Sequence, residues 1–152
     1  RDLGARGYLD VVVRDAIAEG LARGPRMVVA TRPVTVTGGH CWFMGGEADS
    51  EDDLRRIVRT HHKHGADLIK VMATGGFMTR GSAPWHAQFT TAQLAVIVEE
   101  AKRVDKPVAA HVHGIEGMTK EAAWALIEEL AEHSTQDKFT YYHHWRVGDL
   151  VM

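Results

Sequence analysis

Asp67-Leu68-Ile69-Lys70-Val71-Met72-Ala73-Thr74-Gly75-Gly76 is an apolar run that ends in paired glycines. Its length and aliphatic content predict a buried strand entering a glycine-rich loop. Lys70 lies inside the run. An unpartnered buried ammonium is costly, so this amine must be neutralised, paired or used.

Side chains alternate along a strand, so Leu68, Lys70 and Met72 share one face, and Ile69 and Val71 share the other. Pro107 to His113 predicts a second strand of interest. There Val108, Ala110 and Val112 form an apolar face, and Ala109, His111 and His113 the opposite one. Neutral imidazole is the commonest metal-binding side chain. The plainer alternative is a pair of hydrogen-bonded structural histidines. If both strands line one interior, Lys70 and His111 face into it together. A desolvated lysine loses its proton readily, and the free amine can add carbon dioxide to become a carbamate, an anion suited to bridging two divalent metals. A Schiff-base lysine or an internal ion pair satisfies the same residue pattern.

The surrounding chain alternates helices with strands. Tyr8 to Arg23 predicts a helix with Leu9, Val12, Val13, Ala16, Ile17 and Leu21 on its apolar side, stopped by Gly24-Pro25. Met27 to Ala30 reads as a short buried strand, and Thr31 to Asp49 as a long loop holding Gly38-Gly39-His40. Loops of that length are usually functional or disordered. Ser50 caps a helix carrying Leu54, Ile57 and Val58, which Gly65 closes. After the Lys70 strand, Thr90-x-x-Gln93 is a capping box opening a helix with Leu94, Ile97, Val98, Ala101 and Val104. The predicted strands start roughly 40 residues apart, a βα repeat that implies a parallel sheet. In such folds the active groups gather where strands end, as Lys70, His111 and His113 do. Beyond Met118, Thr119 to His133 predicts another helix, and Phe139 to Met152 a β-hairpin turning at Arg146-Val147-Gly148-Asp149.

A formal charge of −2 gives no reason to expect nucleic acid or an anionic membrane as partner. His61, His62 and His64 read as an exposed helix end. Cys41 is the single cysteine, which favours a reducing cytoplasm, and no apolar run is long enough to span a bilayer. The abrupt start at Arg1 and the stop inside Leu150-Val151-Met152 predict a fragment.

Arg1-Asp2-Leu3-Gly4, Thr37-Gly38-Gly39-His40, Gly65 to Gly76, and Val108-Ala109-Ala110-His111-Val112-His113-Gly114 together resemble the amidohydrolase superfamily, in its imidazolonepropionase- and prolidase-like branch. The resemblance implies part of a (β/α)8 TIM barrel, here about three αβ units over residues 1–114. It implies one or two divalent metals, commonly zinc, and hydrolysis of amide-type C–N bonds in small molecules by metal-activated water. It makes Lys70 the carboxylated, metal-bridging lysine and His111 a metal ligand. His113 becomes a substrate-side neighbour, and His40 a loop residue within reach of substrate. The family's first-strand His-x-His pair, a later histidine ligand and the aspartate general base on the last strand are not found in this sequence, so the expected site is incomplete.

Residues 119–152, with Trp145-Arg146-Val147-Gly148-Asp149-Leu150-Val151-Met152, resemble instead the taurine dioxygenase family of 2-oxoglutarate- and iron-dependent oxygenases. The two likenesses meet at Ile115-Glu116-Gly117-Met118, which reads as a junction. Three expectations follow: an amidohydrolase fragment, a dioxygenase fragment, or a non-catalytic chimeric product. Oligomeric state is not legible.

Overall fold

The computed structural model describes residues 1–113. The helix and hairpin expected within 119–152, and the junction at 115–118, lie outside the described residues.

Two strands, β1 (Ile69–Met72) and β2 (Val108–His111), pair in parallel, with Ile69 opposite Val108 and Met72 opposite His111. Two further segments extend the same parallel arrangement through single bridges. Asp2 pairs with Val29, and Val34 pairs with Val71. The spatial order is therefore the first residues, the 28–34 segment, β1 and β2. A parallel sheet fed by helices is what the alternation of patterns predicted.

The second segment is buried at Val29, Ala30 and Val34 but does not form a continuous strand. Thr31 adopts φ 63° and Pro33 has no amide hydrogen to give a ladder. Side chains replace the missing rungs. Asp10 accepts from the Thr31 amide at 2.8 Å, and Asp67 accepts from the Val29 amide at 2.9 Å. Val34, expected to lie in a loop, is thus the residue that joins this segment to β1.

Helix α1 (Leu9–Ala18) is shorter than the 8–23 expected. Gly20, at φ 75°, ends it, with the Leu21 amide reaching the Ala16 carbonyl and the Gly20 amide the Ile17 carbonyl. That is a glycine C-terminal cap four residues ahead of Gly24-Pro25. Its expected apolar stripe is also uncovered among the described residues, with Leu9, Val12, Val13 and Leu21 all exposed.

Helices α2 (Glu51–Lys63) and α3 (Thr91–Arg103) begin with complete capping boxes, Ser50 with Asp53 and Thr90 with Gln93. Leu54 and Val58 of α2 and Ile97 and Ala101 of α3 pack on Ile69 and Val71, forming the main core with Val34 and Phe89. A buried carboxylate joins the two helices. Glu100 is 1% exposed and bonds Arg59 at 2.5 Å and Arg55 at 3.5 Å. His61 corrects another expectation. It lies on the same helical stripe as Leu54 and Val58 and is fully buried, whereas His62 and His64 are exposed.

Candidate functional site

Packing of Ile69 and Val71 against the helices turns Lys70 and Met72 to the opposite side of the sheet. The parallel register puts Ala109 beside Lys70 and His111 beside Met72, so Lys70 and His111 share that face. Lys70 is 8% exposed and has no hydrogen bond or ion pair among the described residues. Burial lowers its pKa, with a small opposing pull from Cys41.

Three imidazoles collect beside it. The His40 ring lies 4.7 Å from that of His111, which lies 4.5 Å from that of His113. His40 is lowered in pKa by burial first and then by His113 and Lys70. His111 is lowered by burial, then by His113, His40 and Lys70. His40 and His111 are thereby favoured as neutral rings with available lone pairs. His111 Nε2 stands 3.3 Å from the Gly75 carbonyl, a group that only accepts, so the ring proton sits on Nε2 and Nδ1 keeps its lone pair. The His113 amide donates to Thr74 Oγ1 at 3.0 Å, which ties the end of β2 to the end of β1.

Lys70, His40, His111 and His113, the residues singled out from the sequence, are therefore brought together. Several partners were not foreseen. Thr79 Oγ1 is 2.9 Å from His40 Nδ1 and accepts from the Cys41 amide at 3.0 Å. Gln88 binds the His40 amide, and Gly76 packs against the His40 ring. Cys41, half-buried, has its thiol pKa raised by burial, and the neighbouring Lys70 charge opposes this. The length of the Gly75 to Phe89 loop was the available signal that something there was needed.

A cavity of about 610 Å³ is lined by Ala73, Thr74, Gln88, Val112 and the first turn of α3. Thr74 and Gln88 are shared between this cavity and the residues that hold His113 and His40. The donor set on the Lys70 face suits a divalent cation, with neutral imidazoles, a readily deprotonated amine and no counter-charge already paired to it. Among the described residues no three His, Cys, Asp or Glu side chains are grouped closely enough to hold a metal by themselves.

Residues 1–151 match the profile of the amidohydrolase family. The chain belongs to that family. Ochratoxinase from Aspergillus niger is 51% identical over 71 residues, which make up 47% of this chain and 15% of that protein. The solved structure of a Xaa-Pro dipeptidase with bound methionine superposes with TM-score 0.72 at 28% identity, covering 90% of this chain and 45% of that one. A third likeness is short. The alpha-ketoglutarate-dependent 2,4-dichlorophenoxyacetate dioxygenase of a Burkholderia species is 51% identical over 45 residues, 30% of this chain and 15% of that protein. The amidohydrolase likeness of the sequence motifs is thus shown, and the dioxygenase likeness rests on a small segment. No helix among the described residues is long and apolar enough to cross a membrane.

Proposed function

We propose that this amidohydrolase chain carries part of the metal centre of a hydrolase that cleaves amide or dipeptide-like C–N bonds in small molecules. The observation that carries the reading is Lys70, buried without a counter-charge on the sheet face it shares with His111. In this reading the parallel segments are consecutive strands of a (β/α)8 barrel, with the face of Lys70 turned to the barrel interior.

Lys70 acts as a carbamate. Its deprotonated nitrogen bonds to the carbon of CO₂, the displaced N–H proton leaves to solvent, and the cation becomes a two-oxygen anion. Burial favours this step because it favours the neutral amine. The carbamate and His111 Nδ1 would hold one or two divalent cations, zinc in the simplest case. When bound, that group polarises the amide carbonyl and activates water. His113 and His40 lie on the substrate side. His40 Nδ1 is occupied by Thr79, so Nε2 is the nitrogen it offers to an incoming amide. The name of the solved relative, a Xaa-Pro dipeptidase, points to substrates in which two amino acids are joined through an amide.

The 71 matching residues make up 15% of the ochratoxinase, and the chain covers 45% of the dipeptidase. The test is to load the purified chain with zinc in bicarbonate buffer and assay Xaa-Pro dipeptides and N-acyl aromatic amino acids. Zinc uptake with turnover supports the reading. A folded chain that takes up no zinc and cleaves neither class overturns it. A second reading gives the chain a dioxygenase-like piece, favoured by the 45-residue match. Succinate formed from 2-oxoglutarate in the presence of iron(II) would be its signature.

A further inference from the structure

Gln88 lies half-buried on the loop that returns along the end of β1, where Ala87 pairs antiparallel with Thr74 and the Gln88 amide donates to the Ala73 carbonyl at 2.8 Å. Its side chain does not point to solvent. The Nε2 group donates to the Met72 carbonyl at 2.7 Å and to Thr35 Oγ1 at 3.0 Å, using both of its hydrogens. Oε1 accepts from the His40 amide at 2.5 Å. One primary amide therefore links three segments: the end of the strand that bears Lys70, the 28–35 segment beside it, and the loop that carries His40.

The close approach is built into the backbone as well. A Cβ at position 39 would lie 2.7 Å from Gln88 Oε1 and 2.5 Å from Thr35 Oγ1, so the glycine preceding His40 leaves room for this clamp. Thr79 then sets the ring by its contact with Nδ1. We infer that Gln88 is a positioning residue for the site. It holds His40 at a fixed place relative to Lys70 and His111, through the His40 amide and the Met72 carbonyl. The inference rests on the functional reading only in giving His40 a substrate-side role. The clamp itself is independent of that reading.

The test uses the full chain, labelled with ¹⁵N, with the ring nitrogens read by long-range ¹H–¹⁵N correlation at neutral pH. The loss of one signal in His40→Asn assigns His40. The wild type is expected to show His40 as a single tautomer, because Thr79 engages only Nδ1. In Gln88→Leu the His40 signals shift and average between tautomers, while those of buried His61 stay in place and report an intact core. Gln88→Glu keeps an acceptor for the His40 amide but has no hydrogen for the Met72 carbonyl, so the His40 signals stay displaced from their wild-type positions. If Gln88→Leu also displaces His61, Gln88→Asn decides by the same criterion, since it keeps an amide but withdraws it by one methylene. Unchanged His40 signals in the variant that keeps its core overturn the inference.

A kinetic arm separates this from the functional reading. With the zinc-loaded chain, Gln88→Leu should raise KM about tenfold with kcat changed less than about threefold, the pattern of lost substrate positioning. A wild type that takes up no zinc and hydrolyses nothing defeats the functional reading, yet the tautomer measurement still decides the role of Gln88.

Discussion

Lys70 and His111 project from the same face of adjacent parallel strands, offset by two residues, because Lys70 pairs with Ala109 and His111 with Met72. The offset is diagonal, and diagonal neighbours are within reach of long side chains. A lysine has the length to meet a partner held in common with the imidazole. The other side of both strands is occupied by helix packing, so neither residue can turn away without opening the core.

Removing the amine separates its chemistry from its burial. Lys70→Met keeps the volume and discards the group whose desolvation is unfavourable. Stability should be unchanged or higher by about 1 kcal/mol, while zinc affinity falls at least about tenfold, the equivalent of one lost ligand interaction. Urea unfolding and calorimetric zinc titration in bicarbonate buffer measure the two effects. A large loss of stability with zinc binding intact would mean that Lys70 is a structural residue.

His61 predicts a pH dependence. Burial, helped by the charge of Arg32 and only partly opposed by the Arg32 carbonyl, pushes its pKa down from 6.5 to about 4. Both ring nitrogens lack a hydrogen-bond partner among the described residues. The ring faces Tyr8, with Arg32 and His64 close by. The unfolded chain takes up this proton near pH 6.5 and the folded chain only near 4, so protonation favours unfolding between those values. The contribution is complete above about pH 6.5, is reduced by about 2 kcal/mol at pH 5, and levels off below 4 after a total of about 3 kcal/mol. Urea midpoints at pH 7 and pH 5 should converge in His61→Phe by this amount relative to the wild type. Equal slopes in both proteins would exclude His61 as the source.

Local rules that act within a few residues were legible in the sequence. The N-cap at Ser50, the capping box at Thr90 and the alternating faces at Lys70 and His111 all follow from spacing alone. The structure departs where a nearer signal competed or where the partner is distant. Gly20 stops α1 before Gly24-Pro25 can, and Asp10 supplies from α1 the bond that Thr31 cannot make within a ladder. The burial of His61 was present in the 54, 58, 61 spacing of α2, but clustered charge and imidazole at the helix end suggested solvent. Gln88 could not have been found, because its three partners lie 16, 48 and 53 positions away.

Glu100 gives a prediction about the helix layer. Its carboxylate is buried, while Arg55, Arg59 and Arg103 approach from more exposed positions. The hydrogen bond from Arg59 is the main reason its pKa lies below the usual carboxylate value. Glu100→Gln keeps the shape and one acceptor oxygen but removes the charge, so the guanidinium groups lose their counter-ion and one acceptor while remaining able to reach water. The cost should be about 1–3 kcal/mol, below that of a fully desolvated pair. Urea unfolding at low and high salt measures it, and the gap between variant and wild type should narrow as salt screens the wild-type attraction. A gap that does not respond to salt would assign the effect to packing.

Gly76 connects backbone geometry to the site. A Cβ there would fall 2.4 to 2.7 Å from three atoms of the His40 ring, closer than van der Waals contact allows. The ring cannot easily yield, because Thr79 holds Nδ1 and Gln88 holds the His40 backbone. Gly76→Ala must therefore push His40 off Thr79 or shift the loop that carries residue 76. Either route disturbs the ring beside His111 without touching the main core around Ile69 and Ile97, so the melting temperature should fall by only a few degrees, as for a loss of about 1 kcal/mol. The His40 ring signals should lose their single tautomer, and adding Thr79→Ala should change little further, since the two substitutions break the same contact. Full additivity in the double variant would show that Gly76 and Thr79 act on His40 separately, and the picture of a single tight housing for that ring would have to be abandoned.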